Sequence, residues 1–263
     1  MIRRMVSVVA AVAAVALFAS SCSSSGSSSG GNSASSTSDI TVKATGAPTA
    51  GGSVKFALEA DSDGFNPTTN RWAVSGHMVG SAVFDPLSAY DENGKAQPYL
   101  AKSFTPSADF KSWTIELRPN VNFSNGTPVD GAAVAKSLNA MKKDVLVGIA
   151  LANIASVVAS GPLSVTVTMI DPDASLPAAL TTQVGYVVSP AQLDAAPPAN
   201  TRSPIGSGPF IQKEWVPDNR WSGTKNPNYW RSDAKGNKLP YLDSLEFRPI
   251  TDPQNRVNAL LAG

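Results

Sequence analysis

Hydrophobic and polar positions alternate in several short segments of the chain, which predicts strands separated by turns. The first such segment follows Gly51-Gly52 and places Val54, Phe56 and Leu58 at every second position. The same alternation predicts further strands over residues 113–117, 163–169, 210–215 and 242–249. Strands of this length and spacing are typical of a domain that buries one face of each sheet.

A helical pattern begins after Asp130, which is a residue type that caps helix N-termini. Val134, Leu138 and Met141 then share one face, and Lys142 and Lys143 occupy the last turn, where cations favour the helix dipole. We therefore predict a capped helix that buries one side.

Further helices are predicted over 78–87, after Ser189-Pro190 and after Asp252-Pro253. The last of them is expected to bury Val257, Leu260 and Leu261. Turns are predicted over residues 91–94 and at Asn125-Gly126, both of which contain Asn-Gly. Because strands and helices intermingle, the pattern predicts a mixed α/β fold.

The N-terminus has the pattern of an export signal. Arg3 and Arg4 precede an apolar run over residues 6–18, and Ala19-Ser20-Ser21 supply small residues for cleavage. The run is too short for a comfortable membrane span. We predict a signal peptide over residues 1–21 and an exported protein.

Cys22, the only cysteine, follows these small residues and precedes a Ser/Gly-rich segment. This arrangement resembles a bacterial lipobox, so Cys22 is the predicted lipid attachment site and residues 22–51 the predicted tether. The alternative is an ordinary secretory signal with an incidental cysteine, because Ala19 stands where an aliphatic residue is usual. A lipid on Cys22 would place the protein on the extracytoplasmic face of the cell membrane.

Composition excludes several classes of function. Loss of Arg3 and Arg4 with the signal changes the net charge from +1 to −1, which provides no basic field for nucleic acid. His77 is the only histidine, so neither a His-based catalytic set nor a multi-histidine metal site is predicted. We expect no enzyme activity, no cofactor and no bound metal.

Five tryptophans are the remaining candidates for chemistry: Trp72, Trp113, Trp215, Trp221 and Trp230. Indoles combine a broad apolar face with one donor, which suits stacking on peptides or sugars in a cleft. Packing in the core is the alternative interpretation for each of them.

Several motifs, in order, resemble the family 5 extracytoplasmic solute-binding proteins of ABC importers, which take peptides, nickel or oligosaccharides. The first two are Gly51-Gly52 before the first strand and Phe84-Asp85-Pro86-Leu87, and the resemblance covers about residues 51–263. The other stretches are Pro98-Tyr99-Leu100-Ala101-Lys102-Ser103, Trp113-Thr114-Ile115-Glu116-Leu117-Arg118, residues 121–129, Pro204-Ile205-Gly206-Ser207-Gly208-Pro209-Phe210, Asn226-Pro227-Asn228-Tyr229-Trp230 and Pro240-Tyr241-Leu242-Asp243.

The resemblance implies a periplasmic-binding-protein-like fold of type II with an extra inserted subdomain. By analogy, residues 52–70 plus 186–263 form the first lobe and residues 71–185 form the inserted subdomain. The family chain continues past the segment matching 252–263, so the sequence is expected to be an N-terminal fragment with the first lobe only and the second lobe missing. The first lobe would then have an unpaired sheet edge.

The resemblance also implies the function: a lipid-anchored monomer that captures a peptide or similar small solute and delivers it to ABC permease subunits in the membrane. The alternative is a surface lipoprotein with a regulatory or adhesive role that has lost transport. The segment after the first strand borders the cleft in this family. Glu59, Asp61, Trp215 and Tyr229 are therefore the candidate solute-binding residues, the acids for an amine and the aromatics for stacking.

Overall fold

Ten strands form two four-stranded sheets and one hairpin in the computed structural model, which describes residues 46–262. The predicted signal peptide, Cys22 and most of the predicted tether lie outside the described residues. The mixed α/β fold predicted from the pattern is confirmed.

The first sheet has the order β1-β10-β9-β8. Its strands are β1 (Ser53–Leu58), β8 (Phe210–Val216), β9 (Arg220–Lys225) and β10 (Ser244–Pro249). β1 and β10 are parallel, while β9 is antiparallel to both β10 and β8. Consequently β1, β8 and β10 all end at one edge of the sheet, which we call the carboxyl edge. Among the described residues, β1 pairs only with β10.

The second sheet has the order β4-β5-β7-β6 and is antiparallel throughout. Its strands are β4 (Ala101–Pro106), β5 (Ser112–Leu117), β6 (Ile154–Gly161) and β7 (Ser164–Met169), and β2 (Ser88–Tyr90) and β3 (Ala96–Pro98) form the separate hairpin. Trp113, Ile115 and Leu117 are buried as their alternation predicted. The sequence pattern missed β4, β6 and β9.

In the described part of the chain, six α-helices accompany the sheets: α1 (Val74–Val83), α2 (Gly131–Lys143), α3 (Leu176–Ala179), α4 (Pro190–Asp194), α5 (Ala199–Arg202) and α6 (Pro253–Ala262). Asp130 caps α2 as predicted, because its Oδ1 accepts a hydrogen bond from the Ala133 amide at 2.8 Å. Val134, Leu138 and Met141 of α2 are buried against the second sheet. No helix in the described range is long and apolar enough to span a bilayer.

The predicted helix over 78–87 is displaced in the structure, where α1 runs from Val74 to Val83. Its N-cap residue, Ala73, makes no side-chain capping bond, so the start carries no sequence signal. Phe84 is extended and Asp85 precedes a proline, which disfavours helical backbone at that position. The helix therefore ends before the residues that the prediction included.

The predicted buried side of α6 is wrong. The helix forms, but Val257, Leu260 and Leu261 are 49%, 82% and 81% exposed. An apolar stripe indicates that a helix needs a covering surface, and no described residue supplies one. Phe56 on the neighbouring strand β1 is also exposed, so the apolar surface continues from the helix to the sheet.

Candidate functional site

The carboxyl edge of the first sheet brings together three of the four candidate residues. Glu59 and Asp61 follow the end of β1, and Trp215 lies at the end of β8. The loop after β1 is tied to α1, because the Ala60 amide donates to Ser75 Oγ at 3.2 Å. Glu59 is exposed and has no hydrogen-bond partner among the described residues. Open α/β sheets bind ligands outside the carboxyl ends of their strands.

Asp61 joins the loop after β1 to the turn between β8 and β9. Its Oδ2 accepts hydrogen bonds from Trp215 Nε1 at 3.3 Å and from the Asp218 amide at 2.7 Å. Its Oδ1 accepts from the Ser62 amide at 2.8 Å. The carboxylate is half-buried, so it orients the indole and remains open to water and to a ligand.

Trp215 is held on more than one side. Phe65 packs edge-on against the indole, with ring centroids 4.8 Å apart. The Arg202 guanidinium lies over the ring with Cζ 5.6 Å from its centroid, which is a cation–π distance. A solute that stacks on Trp215 would therefore share the ring with Arg202. Sequence reasoning missed Arg202, which lies in the short helix α5.

An exposed apolar segment follows α2. Leu146 and Ile149 are exposed on the turn that follows α2, and Val74 is exposed at the start of α1. Asp144 begins the turn, and its pKa is lowered chiefly by hydrogen bonds from the Val147 and Leu146 amides, with a further contribution from the charge of Arg71.

Tyr229, the fourth candidate residue, lies at the opposite edge of the sheet. It follows β9, which runs antiparallel to its neighbours, so it emerges where β8 and β1 begin. The side chain is only 4% exposed. Its hydroxyl contacts Asp85 Oδ1 at 3.3 Å and the Tyr99 hydroxyl at 3.1 Å. The structure therefore separates Tyr229 from Glu59, Asp61 and Trp215.

Asp85 is the centre of that opposite cluster, and it is only 1% exposed. Its Oδ2 accepts from Trp230 Nε1 at 2.8 Å and from Ser207 Oγ at 2.9 Å. Burial raises the pKa of the Asp85 carboxyl, while these bonds, the Tyr229 hydroxyl and the charge of Arg231 oppose the increase. The cluster ties the loop after α1 to segments before β8 and after β9.

Backbone packing closes the same cluster. The Gly208 amide donates to the Val83 carbonyl at 2.8 Å at the end of α1. A Cβ on Gly206 would lie 2.1 Å from that carbonyl oxygen, so no larger residue fits there without movement. Three of the family-like motifs, those containing Asp85, Gly206 and Trp230, thus meet in one buried place. These motifs were recognised in the sequence, but Asp85 was not predicted to be their centre.

His77 is half-buried in α1 and packs edge-on against Trp72 at 5.8 Å. Burial lowers its pKa. No group of three or more His, Cys, Asp or Glu side chains in residues 46–262 could hold a metal ion. Among the tryptophans, Trp72, Trp113 and Trp221 are buried in the core, whereas Trp215 and Trp230 are half-buried.

Comparison with known proteins identifies relatives for most of the described chain. Residues 95–263 match the family described as bacterial extracellular solute-binding proteins, family 5 Middle. The nickel-binding periplasmic protein of Escherichia coli K12 is 32% identical over 193 residues. The glutathione-binding protein GsiB of the same strain is 29% identical over 192 residues.

These matches cover 70% of this chain but only 35% and 36% of the two relatives. The chain therefore spans about a third of the length of these curated relatives. Among solved structures, NikA from Brucella suis in complex with Fe(III)-EDTA superposes with a TM-score of 0.71 at 25% identity. That match covers 81% of this chain and 42% of the Brucella protein.

Proposed function

Because the chain belongs to the family 5 bacterial extracellular solute-binding proteins, we propose that it acts in the capture of a solute for an ABC importer. The permease subunits of that importer are the proposed membrane partners. The family consists of transport components rather than enzymes, in agreement with the sequence prediction. The proposed solute is a peptide or a similar small molecule.

The main support for this proposal is the hydrogen bond between Asp61 and Trp215 at the carboxyl edge. An open sheet offers its ligand site at this edge, since loops from several strands converge there. Glu59 adds a second, exposed carboxylate in the same loop. We propose that these three residues form one wall of the solute cleft. Tyr229 instead has a structural role in the buried cluster around Asp85.

The chemistry of this wall favours a solute with a cationic group beside an apolar one. Glu59 and Asp61 would attract an amine, such as a peptide N-terminus, and Trp215 would contact its apolar part. The relatives are named for nickel and for glutathione, and glutathione is itself a small peptide. A peptide-like solute suits the name of the glutathione-binding relative and the residues of the wall, whereas the name of the nickel-binding relative gives it no support.

We propose the domain division given by the family resemblance. Residues 52–70 plus 186–263, which contain the first sheet, would form the first lobe, and residues 71–185, which contain the second sheet and the hairpin, would form the inserted subdomain. Helix α1 packs against β8, which would join the two parts. Solute would be enclosed when a further wall closes over the carboxyl edge.

We also propose that Cys22 carries the lipid that holds the protein to the extracytoplasmic face of the membrane. The support is its position between the predicted signal and a Ser/Gly-rich tether. The intact mass of the native protein extracted from membranes tests this directly. A product that begins at Cys22 and carries acyl groups supports the anchor, and an unmodified Cys22 refutes it.

Solute capture is tested by calorimetry and tryptophan fluorescence with tripeptides, glutathione and a nickel–histidine complex. We expect weak binding of peptides to this chain, since one wall supplies only part of the contacts. Asp61→Asn and Trp215→Phe should each weaken that binding several-fold.

Trp113→Phe is the matched control for Trp215→Phe. Trp113 Nε1 also donates one hydrogen bond, to the Asp173 carbonyl at 2.9 Å, but in the second sheet. The control should bind solute as the unmodified protein does. Equal losses in both tryptophan variants, or no binding of any of the three solutes, would refute the proposed wall.

A further inference from the structure

Two neighbouring hollows near the Asp85 cluster collect positive charge. The larger has a volume of about 700 Å³ and is lined by Lys102, Arg118 and Lys238 among others. The smaller, of about 420 Å³, contains Arg231 and shares Arg118 and Trp230 with the larger. Neither hollow is lined by an aspartate or a glutamate. We call the two together the basic groove.

These cations differ from those elsewhere on the described surface. Four ion pairs occur in residues 46–262: Lys136–Asp194, Arg220–Glu214, Lys225–Asp243 and Arg248–Glu246. None of them includes a cation of the basic groove. Of the aspartates on adjoining segments, Asp85 lies buried behind Trp230, and Asp233 accepts hydrogen bonds from Tyr241 and Asn237. Within residues 46–262, no carboxylate therefore lies within ion-pair distance of a cation of the groove.

Arg118 is held in a fixed orientation within the groove. Its Nε donates to the Tyr99 carbonyl at 2.6 Å, and its guanidinium lies over Trp230 with Cζ 5.3 Å from the ring centroid. The two terminal amino groups of Arg118 have no protein partner among the described residues. A pre-oriented guanidinium fork of this kind matches the oxygens of a phosphate or a carboxylate.

The rest of the lining favours a phosphate ester of a polyol. The side-chain amides of Asn120, Asn122 and Asn228 are exposed around Arg118 and can bond to hydroxyl groups. Three cations in the larger hollow match the double charge of a phosphate better than the single charge of a carboxylate.

We propose that the basic groove binds a glycerophosphate group, at a site separate from the carboxyl edge. Arg118 and Lys102 would contact the phosphate, and the asparagines would contact the glycerol hydroxyls. The group could belong to a soluble phosphate ester or to an anionic lipid headgroup, and both present the same chemistry. The proposal does not depend on the proposed solute site. Asn228 and Trp230 of the groove follow β9 at the edge opposite Asp61, and Lys102 and Arg118 lie in or directly after strands of the second sheet.

The experiment compares glycerol 3-phosphate in calorimetry with phosphatidylglycerol vesicles in sedimentation, with glycerol and phosphatidylcholine vesicles as neutral references. Lys102→Gln is the main variant, because Lys102 is exposed and makes no bond that the fold requires. Losing one charged contact should weaken binding about tenfold. Lys213→Gln, an exposed lysine on β8 outside the groove, is the matched control and should leave binding unchanged.

Each outcome decides the proposal. Binding of glycerol 3-phosphate that Lys102→Gln weakens supports a soluble ester, and binding of phosphatidylglycerol vesicles alone supports a headgroup. Arg118→Lys keeps the positive charge but loses the two-pronged guanidinium, so it should weaken binding of glycerol 3-phosphate or of phosphatidylglycerol vesicles. Thermal melting of this variant verifies that it is folded. Absence of binding to both probes, or equal weakening by Lys213→Gln, overturns the site.

Discussion

Two aspartate–tryptophan pairs lie at opposite edges of the first sheet, and they differ in burial. Asp61 accepts the indole N–H of Trp215 at 3.3 Å in a half-buried loop, while Asp85, which is only 1% exposed, accepts that of Trp230 at 2.8 Å. The same pair of residue types thus stands in two environments. Water can replace the Asp61 contact, but nothing can replace the Asp85 contact, because an unpaired buried group keeps its full desolvation cost.

This difference in burial distinguishes a structural role for the Asp85 pair from a proposed solute-binding role for the Asp61 pair. The pair of Asp85 and Trp230 connects three chain segments, and its carboxylate is closed to a ligand. The half-buried pair leaves a carboxylate and part of an indole accessible at the edge where sheets of this kind bind ligands. The buried pair is thus assigned a structural role, while solute recognition is proposed for the open pair.

Removal of the two carboxylates should give the largest difference. We expect Asp85→Ala to lower the free energy of unfolding by about 3 kcal/mol, because Trp230 and Ser207 lose their buried acceptor. Asp61→Ala should cost about 1 kcal/mol, since water reaches the groups it leaves. Urea denaturation of both variants measures this, and equal costs would contradict the comparison.

A methyl group at Gly206 should strain the buried cluster next to Asp85. The added Cβ would lie 2.1 Å from the Val83 carbonyl oxygen, so the backbone must move, at a cost of about 2 kcal/mol. Gly161→Ala is the control, because its Cβ would meet only Ser164 Cβ, at 3.6 Å. Thermal melting should show a clear loss for the first variant and little change for the second.

The pH dependence of stability should distinguish Asp85 from the exposed acids. Burial raises its pKa above the ordinary value of 3.8, so the folded state holds this proton more tightly than the unfolded state. The contribution of Asp85 is therefore complete below pH 3.8 and decreases as the pH rises through the folded pKa, by at most about 1.4 kcal/mol per pH unit.

The measurement is the difference in unfolding free energy between the unmodified protein and Asp85→Asn across this range. Asp91, Asp109, Asp173 and Asp243 have lowered pKa values, so their contributions are lost as the pH falls below 3.8. They are present in both proteins and cancel in the difference. A difference that does not vary with pH would refute the raised pKa of Asp85.

The smallest effect is expected for Trp215→Phe. The substitution removes one long hydrogen bond to a solvated carboxylate, so the free energy of unfolding should fall by less than about 1 kcal/mol. Trp230→Phe, which removes the donor to Asp85, should cost more. Denaturation curves of the two variants compare the pairs directly, and a larger loss for Trp215→Phe would reverse the comparison.

Local patterns were enough to predict much of the fold. Alternation at Val54–Leu58 and at 113–117 identified β1 and β5, and the capping residue Asp130 identified the start of α2. The family resemblance predicted only that the segment with Glu59 and Asp61 borders the cleft. That Trp215 lies at the same edge depends on the pairing of β8 in the sheet. Features without a local sequence signal were not predicted correctly, and the start of α1 after Ala73 is an example.

The sequence by itself determined which residues alternate, which cap, and which motifs resemble the family. Only the tertiary structure decided that Asp85, Ser207 and Trp230 meet, since they are far apart in sequence and are joined by burial. It also placed Tyr229 at the edge opposite Asp61, because that position depends on the direction of β9 within the sheet. Strand direction is set by pairing between distant segments, and no local pattern encodes it.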